Sequence, residues 1–269
     1  QDRIKQWEIW NEPNIFFWSG TREQYVETLK RAYETIKRVD PEAQVLGCST
    51  AGIDTSFIQF VVDKGGPMDA LTVHPYRGEL NTAGFICELQ DVRKLVGGKD
   101  VWITEMGWPS NIGGLTERAQ AGYVARTYIS AFASGAVRSV SWYDFREDGE
   151  DPFYNEHHFG LVRNRDLTPK MGYAALATVG NLFAGLRCTR THAFGGDLEG
   201  FDFADGKRQV TAVWTAGPAR LTSLEVSDPA VEVRNIAGER MEVADQDGKR
   251  TFVLHSGLPV YLCGPSGFE

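Results

Sequence analysis

Nothing in this 269-residue chain approaches the ~18 consecutive apolar residues that a membrane-spanning helix needs. No Lys/Arg-rich run occurs either, and the formal net charge is −8, which excludes an electrostatic nucleic-acid surface. Cysteine is scarce. The four residues Cys48, Cys87, Cys188 and Cys263 are widely spaced and include no Cys-x-x-Cys, so a structural zinc site is not expected. Two readings of them stand open: Cys188 and Cys263 pair in a secreted protein, or all four are small buried hydrophobes, the plainer reading. A signal-peptide pattern is also missing, but Gln1 is not an initiator Met, so processing is compatible with the sequence and the compartment stays open between secreted and cytoplasmic. Internal repeats and low-complexity segments are absent.

What remains is ordinary globular composition, 42% hydrophobic and 24% charged, enough for one large domain or a larger unit with a smaller module. Up to about residue 185, strand-like and helix-like patterns alternate. The runs Trp7–Trp10, Gln44–Thr50, Ala70–Tyr76, Val101–Glu105 and Val137–Asp144 read as strands. Between them lie helices with legible ends. Thr21 with Gln24 three residues on forms a capping box, and Asp40-Pro41 stops that helix. Asp54 caps the next, Gly97-Gly98 ends the third, a fourth runs from about Thr116 to Ser134, and Thr168-Pro169 opens a fifth to about Phe183. Five strand–helix units in strict alternation predict a parallel sheet with helical crossovers. From about Leu186 the helical period vanishes. Short alternating runs appear at Leu198–Phe203, Gln209–Trp214, Leu221–Val226, Val231–Ile236, Arg250–Leu254 and Pro259–Cys263, separated by turn signals such as Asp205-Gly206 and Asp247-Gly248. The expected organisation is therefore α/β over 1–185 and a small antiparallel β-sandwich over 186–269.

The chemistry collects at two strand tips. Trp7-Glu8-Ile9-Trp10 runs into Asn11-Glu12-Pro13-Asn14, and Val101-Trp102-Ile103-Thr104 runs into Glu105-Met106-Gly107-Trp108-Pro109-Ser110. Pro cannot continue a central strand, so each Glu is expected near a strand's C-terminal end, the face that carries the chemistry in a parallel barrel. Together and in this order, the two motifs resemble the signatures of clan A glycoside hydrolases, most closely glycoside hydrolase family 39 and related exopolysaccharide hydrolases. The resemblance implies a TIM-type (β/α) barrel in which Asn11-Glu12 ends the fourth strand and Glu105 the seventh. On that reading the chain holds strands 4 to 8, a partial barrel, and lacks the first three.

The resemblance further implies a retaining glycosidase. Glu105 attacks the anomeric carbon and Glu12 protonates the leaving oxygen, which asks that Glu12 be kept protonated by a nearby negative charge or an apolar wall. Asn11 is expected to hydrogen-bond the sugar 2-hydroxyl. His74 or Tyr76 is expected to fix the Glu105 rotamer, and Trp142 to stack on the sugar, with Trp108 and Trp18 extending the cleft. Trp10 and Trp102, inside strands, are expected in the core. The adjacent His157-His158 pair does not have metal-ligand spacing, so neither a metal nor a cofactor is expected. The partner is a carbohydrate substrate. Unpaired strand edges predict self-association or a covering partner. The alternative reading is a non-catalytic or weakly active half-barrel that binds sugar or acts as a scaffold.

Overall fold

The computed structural model describes residues 4–226, 228–246 and 249–266. The chain divides into two compact units, 1–106 with 134–142, and 107–133 with 143–269. None of the described helices is long and apolar enough to cross a membrane.

The first unit is built on five parallel strands in sequence order: β1 (Gln6–Glu8), β2 (Gln44–Ala51), β3 (Ala70–His74), β4 (Val101–Ile103) and β5 (Val137–Val140). This is half of a TIM-type barrel sheet. β3 is buried at every position and β2 through its middle six, because apolar residues on both faces leave no side for water. Three helices follow the first three strands. α1 (Arg22–Val39) starts at the expected capping box, with Gln24 N donating to Thr21 Oγ1 at 3.3 Å and Thr21 N to Gln24 Oε1 at 2.8 Å. It seats Tyr25, Val26 and Leu29 in the core. α2 (Thr55–Asp63) is capped by Asp54, whose side chain accepts from Phe57 N, and α3 (Thr82–Leu95) by Asn81.

The second unit contains α4 (Glu117–Ala133), α5 (Met171–Phe183) and two antiparallel sheets. One sheet takes β6 (Arg187–His192), β7 (Leu198–Ala204), β8 (Arg208–Thr215), β10 (Glu232–Arg234) and β13 (Val260–Pro265), in the order β10-β13-β8-β7-β6. The other is β11 (Ala244–Gln246), β12 (Lys249–Leu254) and β9 (Arg220–Glu225). Val213, Val226, Val233, Phe252, Leu254 and Leu262 form part of the buried core between these strands. The textural change expected near residue 186 falls between α5 and β6, while compactness groups α4 and α5 with the sandwich. The Asp247-Gly248 turn lies outside the described residues.

Several expectations are corrected. Pro169 does not open α5. It bridges to Val162 in extended backbone and the helix begins two residues later, with Lys170 as its cap. All four cysteines are free, so Cys188 and Cys263 are not paired; Cys48 is buried but Cys87 is exposed, so the buried-hydrophobe reading fits only part of the set. Trp10 is not in the core. The first strand ends at Glu8, Trp10 has φ 72°, and the residue is 50% exposed. Trp102 is half-buried.

Candidate active site

Each candidate residue lies at the end of its strand or up to four residues beyond it, so the side chains project from the sheet's C-terminal rim. Glu12 lies four residues past β1, His74 ends β3 with Tyr76 two further on, and Glu105 lies two past β4. The rim is shaped by uncommon backbone. Among the described residues, left-handed φ at non-glycine positions occurs at Trp10, Glu12, Cys48, Ser49 and Leu167, and all but the last belong to this rim. Such conformations cost about 1–3 kcal/mol each and persist where neighbours over-determine them.

The neighbours are identifiable. β2 bulges between Gly47 and Thr50. Tyr25, fully buried, accepts from Cys48 N at 2.9 Å and donates to Ile9 O at 3.2 Å, tying the bulge to the β1 exit. Thr72 Oγ1 accepts from Ser49 N at 3.0 Å and donates to Gly47 O at 3.1 Å. The freed Ser49 carbonyl then accepts from Glu12 N at 2.8 Å. Asn14 closes the turn: its Oδ1 accepts from Ala51 N at 2.9 Å, while Nδ2 donates to Ala51 O at 3.0 Å and Asp54 Oδ2 at 3.2 Å. In Asn-Glu-Pro-Asn the last Asn is thus a clamp that presents the Glu.

His74, 2% exposed, is the hub. Its Nδ1 lies 3.0 Å from Glu12 Oε1 and 3.7 Å from Glu105 Oε2. Its Nε2 faces Thr104 Oγ1 at 3.1 Å, Ser49 Oγ at 3.4 Å and Glu8 Oε1 at 3.8 Å. Burial opposes a charge on this ring, but hydrogen bonds to Glu12 and Glu8 and the charges of Glu105 and Glu8 outweigh it, so the imidazolium persists to about pH 9. Glu8 behaves conversely. Burial would raise its proton affinity, yet hydrogen bonds to His74, Thr104, Thr72 and Ser49 hold its carboxyl below the usual range. Thr104 Oγ1 donates to Glu8 Oε1 at 2.7 Å, and Tyr76 OH donates to Glu105 Oε1 at 2.7 Å. One ligand-type atom each from Glu12, His74 and Glu105 lies within 4.8 Å of the others.

Sequence reasoning brought together Glu12, His74, Tyr76 and Glu105, and the structure places these four in one cluster. It missed Glu8, Thr104, Ser49 and Thr72. Thr104, directly before Glu105, is the one with a local signal. Asn11 is exposed, and Trp142 follows β5 half-buried. Trp18 meets Trp10 edge-on at 4.9 Å, and both line an open hollow of about 500 Å³ beside Gln24, Glu27 and Arg31 of α1. Trp108 belongs to the second unit, where it is 4% exposed and packs on Tyr123 at 4.5 Å.

Comparison with known proteins places this geometry. The family described as Glycosyl hydrolases family 39 matches residues 1–96, a span that includes Glu8, Glu12, His74 and Tyr76. A β-xylosidase from Caldicellulosiruptor saccharolyticus is 39% identical over 87 residues, covering 30% of this chain and 18% of that protein. A family 39 glycoside hydrolase from Bacteroides cellulosilyticus WH2 superposes with a TM-score of 0.84 at 28% identity over 97% of this chain. A family 39 β-xylosidase from Caulobacter crescentus shares the fold, with a TM-score of 0.64 at 18% identity over 95% of this chain. The chain spans 58% and 65% of the lengths of those two solved proteins. The chain is thus similar to the family 39 glycoside hydrolases by sequence over its first 96 residues, and by fold over nearly its whole length.

Proposed function

We propose that this chain carries the acid/base and the nucleophile of a retaining β-glycosidase, with Glu12 and Glu105 in those roles. The observation that carries the reading is that one oxygen of Glu12 and one oxygen of Glu105 lie within 4.8 Å of each other at one rim. That is close to the roughly 5–5.5 Å of retaining enzymes and short of the roughly 6.5–9.5 Å that admits a water between them. In the first step Glu105 forms a bond to the anomeric carbon while the glycosidic C–O bond breaks and Glu12 gives its proton to the leaving oxygen. In the second, water attacks the same carbon, loses its proton to Glu12, and the ester bond to Glu105 breaks. Tyr76 pins Oε1 of Glu105, which leaves Oε2 to attack.

The relatives named β-xylosidase make a β-xyloside the first substrate to try, with Asn11, Trp142 and Trp18 as the proposed sugar contacts; Trp108, expected to extend the cleft, is buried within the second unit and is not among them. The proposed division is a partial barrel through residue 185 and a sandwich from 186, supported by the switch from α5 to β6. β1 is exposed at all three positions, Trp7 at 44%, and we propose that this edge is covered by a partner polypeptide or by a second copy.

The test is proton NMR of an aryl β-xyloside digest, on a sample whose mass is measured by light scattering. The β anomer is expected as the first product. The α anomer would exclude the double displacement, and an inert chain would favour a non-catalytic sugar-binding half-barrel. A monomer removes the second-copy version of the edge pairing.

A further inference from the structure

In the sandwich, the face that should be wholly apolar turns polar toward β6. β8 places Gln209, Thr211 and Val213 on one side by its two-residue period, and Val213 belongs to the apolar core. Cross-strand pairing aligns Thr211 with Asp202 of β7 and Asp202 with Arg190 of β6, with Leu262 of β13 on the other flank. Gln209, Thr211 and Asp202 are each 6–7% exposed. They line a cleft of about 230 Å³ together with Arg190, His192 and Phe194. Burying this much polarity is costly unless the groups are partnered, and the partnering here centres on Asp202. His192 Nε2 meets Asp202 Oδ1 at 2.7 Å and Thr211 Oγ1 donates to the same oxygen at 2.6 Å, so these two contacts converge on one oxygen of the carboxylate. The wall is built as well. Phe194 stacks on His192 with ring centroids 4.8 Å apart and planes 4° from parallel. It lies over Gly200, where a Cβ would come within 2.4 Å of the Phe194 ring, so a side chain at position 200 would displace this aromatic shelf.

We infer that this cleft is a second binding site, separate from the Glu12–Glu105 cluster, and that it takes a single neutral sugar ring. A carboxylate opposes an anion and Arg190 opposes a cation, while together they supply an acceptor and donors for vicinal hydroxyls. The Phe194 ring offers an apolar face to C–H groups. The volume is below the ~300–1,000 Å³ of sites for drug-sized ligands, which limits the occupant to about one ring.

The full chain carrying Glu105→Gln, to suppress turnover, is titrated by saturation-transfer NMR with D-xylose, D-glucose, D-galactose, L-arabinose, xylobiose and cellobiose. At least one is expected to bind, with Phe194→Ala and Asp202→Asn each weakening it about tenfold, the loss of one well-placed contact. Phe194 is 37% exposed, so its truncation leaves the fold intact, and Arg190→Ala serves as an independent variant should Asp202→Asn not fold. Phe194→Ala in the otherwise unaltered chain is expected to leave aryl-glycoside hydrolysis unchanged, which separates this site from the proposed catalytic one. Absence of binding by every sugar, binding indifferent to all three substitutions, or preferential binding of inorganic phosphate would each overturn the assignment.

Discussion

Replacing Glu105 by Gln is expected to lower kcat/KM on an aryl β-glycoside by roughly 10⁴-fold or more, because removing the nucleophile of a covalent mechanism leaves only binding and electrostatics. Glu12→Gln should behave differently. A dinitrophenolate departs without needing a proton, so on such a substrate the first step survives and the covalent intermediate accumulates as a burst, while an alkyl or sugar leaving group loses about 10²–10⁴-fold. The contrast distinguishes the two carboxylates by role. Equal losses on both leaving groups for both variants would mean that the glutamates act as one structural unit. Added azide sharpens the assignment: a small anion fits the space of a truncated carboxylate, so rescue of Glu12→Ala should yield the β-glycosyl azide by attack on the intermediate.

The second large effect concerns the His74 hub and is read without substrate. His74 is raised from 6.5 to about 9 in the folded chain, so its protonation stabilises the fold. That contribution is fully present below pH 6.5 and is lost as pH rises through about 9. The shift corresponds to up to ~3 kcal/mol, at about 1.4 kcal/mol per pH unit of displacement. Denaturant melts at pH 6 and pH 9.5 should therefore differ by a clear fall in midpoint, and His74→Gln should flatten the difference. Glu8, held below its usual 4.5, works at the other end: its contribution is present above pH 4.5 and disappears as pH falls further. A His74→Gln variant that kept the full alkaline loss would show that the hub does not carry the charge assigned to it.

Much of this site is legible in the sequence because its backbone signals are local. The capping box at Thr21 and Gln24, the Asp54 cap, and the polar breaks after each apolar run set the strand tips within a few residues. Two glutamates at such tips, with His74 and Tyr76 at a third, predict convergence if the strands are parallel, and they are. What stays hidden depends on registry between distant segments. Glu8 reads as an ordinary exposed residue of a short strand, yet its partner Thr104 is 96 positions away. The left-handed positions of the β2 bulge are Cys48 and Ser49, beside Gly47 but not glycines themselves, and the Tyr25 and Thr72 hydroxyls accept their N–H groups. Trp10 has strand-like chemistry, but the left-handed turn that presents Glu12 begins there and throws the ring outward. In the sandwich, β6 escaped notice because Arg-Cys-Thr-Arg-Thr-His has no apolar alternation. Its inward positions include Arg190 and His192, which line the cleft.

A covalent trap tests the central assignment most directly. A 2-deoxy-2-fluoro β-glycoside with a dinitrophenolate leaving group slows the second step more than the first, so the intermediate persists long enough for peptide mapping. The account predicts one glycosyl adduct per chain, on the peptide bearing Glu105, and its absence from Glu105→Gln. An adduct on Glu12 or on any other residue, or steady turnover of the parent glycoside with no adduct formed, would contradict it.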